Sequence, residues 1–335
     1  MKYTSRLQLA AIGIALSTLF LFSCRNTTDR SQFTISEQLT MLDNEIKKSP
    51  KDAHLYYERG KLLIEQQHIN EAINDLQRAC ELDEDQTAYQ IALSDAYFAN
   101  GNVSKSYQAL QKALNLEPDN MEALLKMGEV TFFSRDFDRS LETLTKVTER
   151  DPDNRTALFM KAYIYKEKGD TAAAARLYRR VSEVYPDYAP AFEELGMLYA
   201  AGGRDLAVEY LTTAIRLDSA NTNAMYNLAM FYQEKEEAEL AEEWYVRMLE
   251  VEPHNKYAWH NRGYIEMLYF EDYDAAIDLF SQAIACDADY VEAYTNRALC
   301  YELKGDRTNA RISYQAALNI DPDYKQAVEG LARVK

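Results

Sequence analysis

The chain has 335 residues, with 37 Lys and Arg against 54 Asp and Glu and a formal net charge of −17. That balance argues against nucleic acid as a partner, because affinity for it comes from lysine and arginine neutralising phosphates. A basic protein or peptide is electrostatically easier to attract.

In chain order, Met1 to Ser23 carries Lys2 and Arg6 and then an apolar run of fourteen residues, Leu9 to Phe22, before Cys24. A membrane-spanning helix needs about 20 apolar residues, so this run fits the h-region of a secretory signal better. Leu21-Phe22-Ser23-Cys24 resembles a bacterial lipobox. The resemblance implies that residues 1–23 are a removed signal peptide, that Cys24 carries the lipid, palmitate included, and that acyl chains tether the protein to a membrane. Arg25 follows Cys24 where an aspartate would imply retention at the inner membrane, so the expectation is an outer-membrane lipoprotein, periplasm-facing. Residues 24–34 are polar and read as a tether, and at about 3.3 Å per residue they keep the folded part of the chain close to the anchor.

The segment Ser36 to Pro50 ends with a proline in the slot that closes a second helix, which predicts a lone capping helix. From residue 53 the chain repeats: Thr87 to Asn120, Met121 to Asn154 and Arg155 to Tyr188 align without a gap, each copy 34 residues long. A period of this size means stacked supersecondary units and not one globular core. Eight full repeats are delimited at 53–86, 87–120, 121–154, 155–188, 189–221, 222–255, 256–290 and 291–324. The fifth is one residue short and the seventh one residue long, and both changes are expected in the turn between helices, where a surface loop absorbs them.

The eighth position of the unit is always small (Gly60, Ser94, Gly128, Ala162, Gly196, Ala229, Gly263, Ala298), and so is the twentieth (Ala72, Ser106, Ser140, Ala174, Ala207, Ala241, Ala276, Ala310). Two helices approach closely only where their side chains are short, so each unit is a helical hairpin crossing at these residues. The twenty-fourth position is large (Leu76, Leu110, Leu144, Tyr178, Leu211, Tyr245, Phe280, Tyr314) and fills the space beside the crossing. Of seven prolines, all but Pro190 stand where a second helix closes, and Gly101, Gly169, Gly203 and Gly305 stand between helices, where a left-handed residue is wanted. Motifs such as Trp259-x-x-x-Gly263 and Ala310-x-x-x-Tyr314 with Pro322 resemble the tetratricopeptide repeat. The resemblance implies an all-α, right-handed superhelical solenoid of stacked helical hairpins over residues 35–335, with a half-repeat at each end, the last being the capping helix 325–335.

No phosphate loop, His-Glu-x-x-His, Cys-x-x-Cys or nucleophile elbow occurs, so no catalytic residue, metal site or cofactor is predicted. The acidic clusters at Asp151-Pro-Asp-Asn, Asp287-Ala-Asp-Tyr and Asp321-Pro-Asp-Tyr recur at repeat junctions and read as caps between helices, not as calcium loops. Apart from Cys24, three cysteines remain, an odd number that excludes a full disulfide framework; a Cys286 to Cys300 bridge is conceivable, but free thiols are expected.

A function must then come from a surface, and the first helices of such a solenoid line its concave side. At the sixth position of the last three full repeats stand Asn227, Asn261 and Asn296. An amide both donates and accepts, so a row of them can hold a peptide backbone without reading its side chains. This resembles the asparagine ladder in the repeat domain of O-linked N-acetylglucosamine transferases. Beside it stand Tyr226, Met230, Tyr257, His260, Tyr264, Met267 and Leu268, a groove suited to an apolar peptide; Phe159, Met160, Tyr163 and Lys166 form a weaker second patch. The expected function is a non-enzymatic adaptor of the cell envelope that binds protein or peptide partners. The alternatives are a self-associating structural protein or a regulator of a cell-wall enzyme.

Overall fold

The computed structural model describes residues 33–335; the signal segment, Cys24 and most of the tether lie outside the described residues. Every regular element described is helical. Helix α1 (Ile35–Lys48) is followed by α2 (Ala53–Glu65), α3 (Ile69–Leu82), α4 (Thr87–Ala99), α5 (Val103–Leu116), α6 (Met121–Phe133), α7 (Phe137–Arg150), α8 (Arg155–Glu167) and α9 (Thr171–Val184). Then come α10 (Ala189–Ala201), α11 (Leu206–Leu217), α12 (Thr222–Glu234), α13 (Ala238–Val251), α14 (Lys256–Ile265), α15 (Tyr273–Cys286), α16 (Val291–Leu303), α17 (Arg307–Ile320) and α18 (Lys325–Arg333). Contacts gather the chain into two compact units, one ending at Asn100 and the other running Gly101–Lys335. Within the second unit each first helix packs on its own second helix, and that helix packs on the first helix of the next repeat.

Short polar residues start most of these helices by accepting an N–H that the helix itself cannot pair. Thr34 and Glu37 cap α1 reciprocally, and Asp52, Asn120, Asn154, Asn221, Asn255 and Asp306 accept from the first turn of their helices. The junction clusters divide on this point. Asn154 caps α8, whereas Asp287 and Asp321 accept from the N–H two residues on (Asp289, 2.9 Å; Asp323, 3.0 Å) and so fold the turn itself.

Inside the hairpins the turn is uniform even where its sequence is not. Gly101, Gly169, Gly203 and Gly305 have φ between +64° and +83°, and in the other turns Gln67, Arg135, Glu236 and Glu271 adopt the same left-handed conformation at φ +55° to +63°. In seven of these eight turns the next N–H reaches back into the last turn of the first helix, as in Asp136 to the Thr131 carbonyl at 2.9 Å and Asp170 to Tyr165 at 2.9 Å. A left-handed non-glycine residue costs about 1–2 kcal/mol, so packing of the two helices dictates this turn.

The small eighth position governs that packing. A Cβ added to Gly128 would lie 2.5 Å from Leu144 Cδ2, one on Gly196 2.5 Å from Leu211 Cγ, and one on Gly263 2.9 Å from Phe280 Cε1. Where the eighth residue is alanine it is fully buried (Ala162, Ala229, Ala298), and the residue in the twenty-fourth position is then a tyrosine: Tyr178, Tyr245 and Tyr314. Glycine thus pairs with leucine or phenylalanine and alanine with tyrosine, two ways of filling one crossing at constant density.

The two repeats of unusual length depart from the expectation that their turns absorb the change. In the fifth, the missing residue comes out of the second helix: α11 has 12 residues against 14 in α9 and α13, and its first turn tightens, with Ala207 N–H bonded to the Arg204 carbonyl and Val208 to Asp205, both at 3.0 Å. In the seventh, the extra residue enters the first helix, which continues past Ile265 as a π-helical turn, Glu266–Phe270, and sends the Asp272 N–H back to the Glu266 carbonyl at 3.0 Å. The left-handed residue keeps its place against the crossing in both repeats, so the change in length moves into the adjoining helix.

The three described cysteines are free; Cys300 is buried, and burial pushes its thiol up to about 12, while Cys80 and Cys286 are half-buried. The crossing geometry sets a first test. Gly128→Ala forces a methyl against Leu144, and overpacking of this kind costs about 1–3 kcal/mol; chemical denaturation should show that loss, while the same test on the exposed Gly169→Ala should report the strain of a left-handed alanine and no packing clash.

Candidate functional site in the last repeats

The predicted site residues lie on the first helices α12, α14 and α16. The three asparagines do not act alike. Asn227 Nδ2 donates to the Asn223 carbonyl of its own helix at 2.8 Å. Asn261 Nδ2 donates to the Tyr245 hydroxyl at 2.9 Å and lies 3.6 Å from Met230 Sδ. Asn296 Nδ2 reaches His260 Nε2 at 3.0 Å.

These bonds join into a chain with one consistent direction. Tyr245 donates its hydroxyl proton to Gln233 Oε1 at 3.3 Å and accepts from Asn261. With its amide nitrogen so committed, Asn261 offers Oδ1 to His260 Nδ1 at 3.2 Å, so that nitrogen carries the imidazole proton and leaves Nε2 to accept from Asn296. The pattern requires a neutral ring. Burial holds the His260 pKa below its ordinary 6.5, opposed by the bond to Asn261 and by the charge of Glu292. Around the ring stand Phe280 at 5.4 Å and Tyr290 at 5.1 Å between centroids.

Of the flanking residues, Tyr226 is half-buried and meets the Tyr245 ring edge-on at 6.1 Å, and Tyr264 packs with Met267 into the cluster around Phe280 and Cys300. Met267 is itself buried, contrary to its expected exposure, because the π turn rotates it inward. The same turn brings out Leu268 and Phe270, at 52% and 42% exposure, and Tyr257 (45%) and Leu303 (52%) stand exposed on α14 and α16. Phe270 and Leu303 had no signal in the sequence beyond their hydrophobicity, whereas the pairing of Ala229 with Tyr245 was there to be read. Tyr257 carries Lys256 Nζ 5.1 Å from its ring, and Lys256 in turn pairs with Asp287.

The weaker patch is largely spent on structure. Phe159 packs edge-on against Tyr178 and Tyr188 at 5.2 and 5.5 Å, and Lys166 lies over the Tyr163 ring at 4.5 Å while bonding Glu194 at 2.5 Å. Among the described residues, no group of three or more His, Cys, Asp and Glu side chains is placed to hold a metal ion, and no helix is long and apolar enough to cross a membrane.

Stacked hairpins with this crossing define a helical-repeat protein, a class that works through its surfaces. Tetratricopeptide-repeat models match residues 53–86, 197–258 and 265–325, and the model of the cytochrome c-type biogenesis protein H TPR domain matches residues 91–192. The chain belongs to the tetratricopeptide-repeat family. It is similar in structure to the C-terminal part of a TPR repeat-containing protein from Cytophaga hutchinsonii, at 17% identity over 73% of this chain and 99% of that one, with a TM-score of 0.64. A tetratricopeptide repeat protein from Parabacteroides merdae is similar at 16% identity over 74% of this chain and 98% of that one, with a TM-score of 0.53. No curated protein matches the chain. At these identities the solved structures establish the fold, and members of the family generally mediate contact between proteins.

The hydrogen-bonded chain makes a pH-dependent prediction. Because His260 has a folded-state pKa below its unfolded value, its contribution to stability is complete above about pH 6.5 and is lost as pH falls from there toward the depressed value. Denaturation curves at stepped pH should show this loss, reduced in His260→Gln, with Glu292 as the charged group whose removal deepens it. Asn261→Ala strips the buried Tyr245 hydroxyl of its donor and should cost about 1–3 kcal/mol at neutral pH.

Proposed function

We propose that the protein is a non-enzymatic scaffold of the bacterial cell envelope, anchored through Cys24, whose first helices α12, α14 and α16 hold an extended segment of a partner protein. The observation that carries the reading is the group of exposed apolar side chains on these helices, Tyr257, Leu268, Phe270 and Leu303, beside the half-buried Tyr226, Asn227, Met230 and Tyr264. Large apolar side chains left exposed on successive first helices are a mark of a contact surface, and aromatic residues dominate such contacts. All three asparagine amides are engaged within the protein, Asn261 and Asn296 with other repeats and Asn227 with a carbonyl of its own helix, so the apolar side chains supply the affinity. The net charge of −17 favours a partner with basic residues flanking its apolar ones. Family members are typically scaffolds without catalysis, and the absence of a catalytic motif in the sequence supports the same role here.

Crosslinking in cells tests the surface: replacing Tyr257, Leu268 and Leu303 by serine should lower the yield of a specific crosslinked partner at least about tenfold, the equivalent of about 1.4 kcal/mol, with circular dichroism and melting unchanged. A partner list identical to that of the native chain would overturn the proposal for this face. The anchor is tested separately by growth with labelled palmitate, where Cys24→Ser should lose the label and appear in the soluble fraction.

A further inference from the structure

The fourth and fifth repeats hold a cleft of about 480 Å³ between α9, the C-terminal end of α10 and the residues leading into α11. Three arginines line it, Arg176 and Arg179 from one face of α9 and Arg204 from the turn before α11, together with Tyr199 and Leu198. In a chain with a net charge of −17, three arginines thus share one cleft with no acid in its lining. About half of the described arginines pair with a carboxylate, among them Arg150 with Asp119, Arg180 with Asp153, Arg247 with Glu243 and Arg262 with Glu242. None of the three cleft arginines has a carboxylate within 4.0 Å among the described residues, and Asp205, the nearest acid in sequence, is taken by Lys235 at 2.9 Å.

What holds two of them, Arg179 and Arg204, is one tyrosine. Arg179 Nη2 donates to the Tyr199 hydroxyl at 2.7 Å, and the Arg204 guanidinium sits 5.9 Å from the centroid of the Tyr199 ring. That ring stacks flat on Tyr210, 5.4 Å away and inclined by 6°, so it cannot swing aside. Sequence and length changes meet at the same place. In other repeats the residue after the left-handed turn position is the N-cap of the second helix, as in Asn102, Asp136, Asp170, Glu237 and Asp306, whereas in the shortened fifth repeat Arg204 stands there and the N-cap of α11 falls one residue later, on Asp205.

We infer that this cleft is an anion site that takes a phosphate group. Three guanidinium groups without counter-charges repel one another, and an anion of two charges between them removes that repulsion while accepting paired N–H bonds from planar forks that match its oxygens. The volume falls in the range of small-ligand sites, about 300–1,000 Å³, so the phosphate of a small molecule and that of a lipid headgroup both fit the chemistry. The site uses no residue of the proposed peptide surface and stands or falls independently of it.

Calorimetric titration of the full-length protein with pyrophosphate at low ionic strength should give saturable binding at one site. Arg176→Gln, Arg179→Gln and Arg204→Gln should each raise Kd about tenfold or more, and the triple variant should show no saturation. Tyr199→Phe keeps the ring, frees Arg179 and should weaken binding severalfold. A control triple of exposed, ion-paired arginines, Arg150→Gln, Arg180→Gln and Arg247→Gln, should stay within about twofold of the native protein. Flotation with phosphatidate vesicles, against neutral phosphatidylcholine vesicles, separates the sources: loss of flotation in the cleft triple without any pyrophosphate binding assigns the site to a headgroup, and displacement from vesicles by pyrophosphate assigns it to the phosphate itself. Absence of saturable binding to both probes overturns the inference, as does a control triple that loses as much as the cleft triple, which would mark the binding as general surface charge.

Discussion

The structure depends on how closely two helices can cross. At Gly60, Gly128, Gly196 and Gly263 there is no room for even a methyl group, since the facing leucine or phenylalanine stands within 3.0 Å of where one would be. Burying such a side chain completely contributes about 1.5–3 kcal/mol, and the contribution recurs with every repeat. Because the crossing is fixed, so is the turn that joins the two helices, down to the left-handed residue that four repeats supply without glycine. Everything variable in the chain is displaced to where the crossing does not reach: the start of α11, the end of α14 and the outward faces.

The same constraint explains how polar chemistry enters the interior. A tyrosine fits the twenty-fourth position only opposite an alanine, and its hydroxyl must then find a partner near the next repeat. Tyr245 finds Asn261 at 2.9 Å; Tyr314 donates to Glu302 at 2.7 Å, whose carboxylate Arg333 also binds, across from Gly330, where a Cβ would strike the tyrosine ring. Tyr178 lies fully buried beside Glu194 without a hydrogen bond of good geometry, and burial drives its hydroxyl pKa far upward. The partner is therefore chosen by each repeat separately.

Helix positions were legible because proline, glycine and the small residues recur at fixed places, and each has one physical reason to be there. The site was legible only in part. Asn227, Asn261 and Asn296 look equivalent in the sequence, yet they bond to a helix carbonyl, a tyrosine and a histidine. The difference follows the residue in the twenty-fourth position of the preceding repeat, Leu211, Tyr245 or Phe280, of which Tyr245 alone carries a hydroxyl and meets its asparagine with it. Likewise the sequence shows that the seventh repeat has one residue more but not that the residue enters α14, since only the rigidity of the turn decides between the two.

That extra residue has a consequence for what can lie along this surface. An array made of identical copies acts as a ruler and suits a ligand whose own sequence repeats at matching intervals. The π turn advances the last turn of α14 by one position, and Asp272 restores the phase for α15 and the helices beyond it. A chain lying from α12 to α16 would find its spacing interrupted at Leu268 and Phe270, so a uniform ligand fits on either side of that point but not through it. If the proposed partner segment lies here, its sequence is aperiodic, its side chains changing character where the protein's own rhythm breaks.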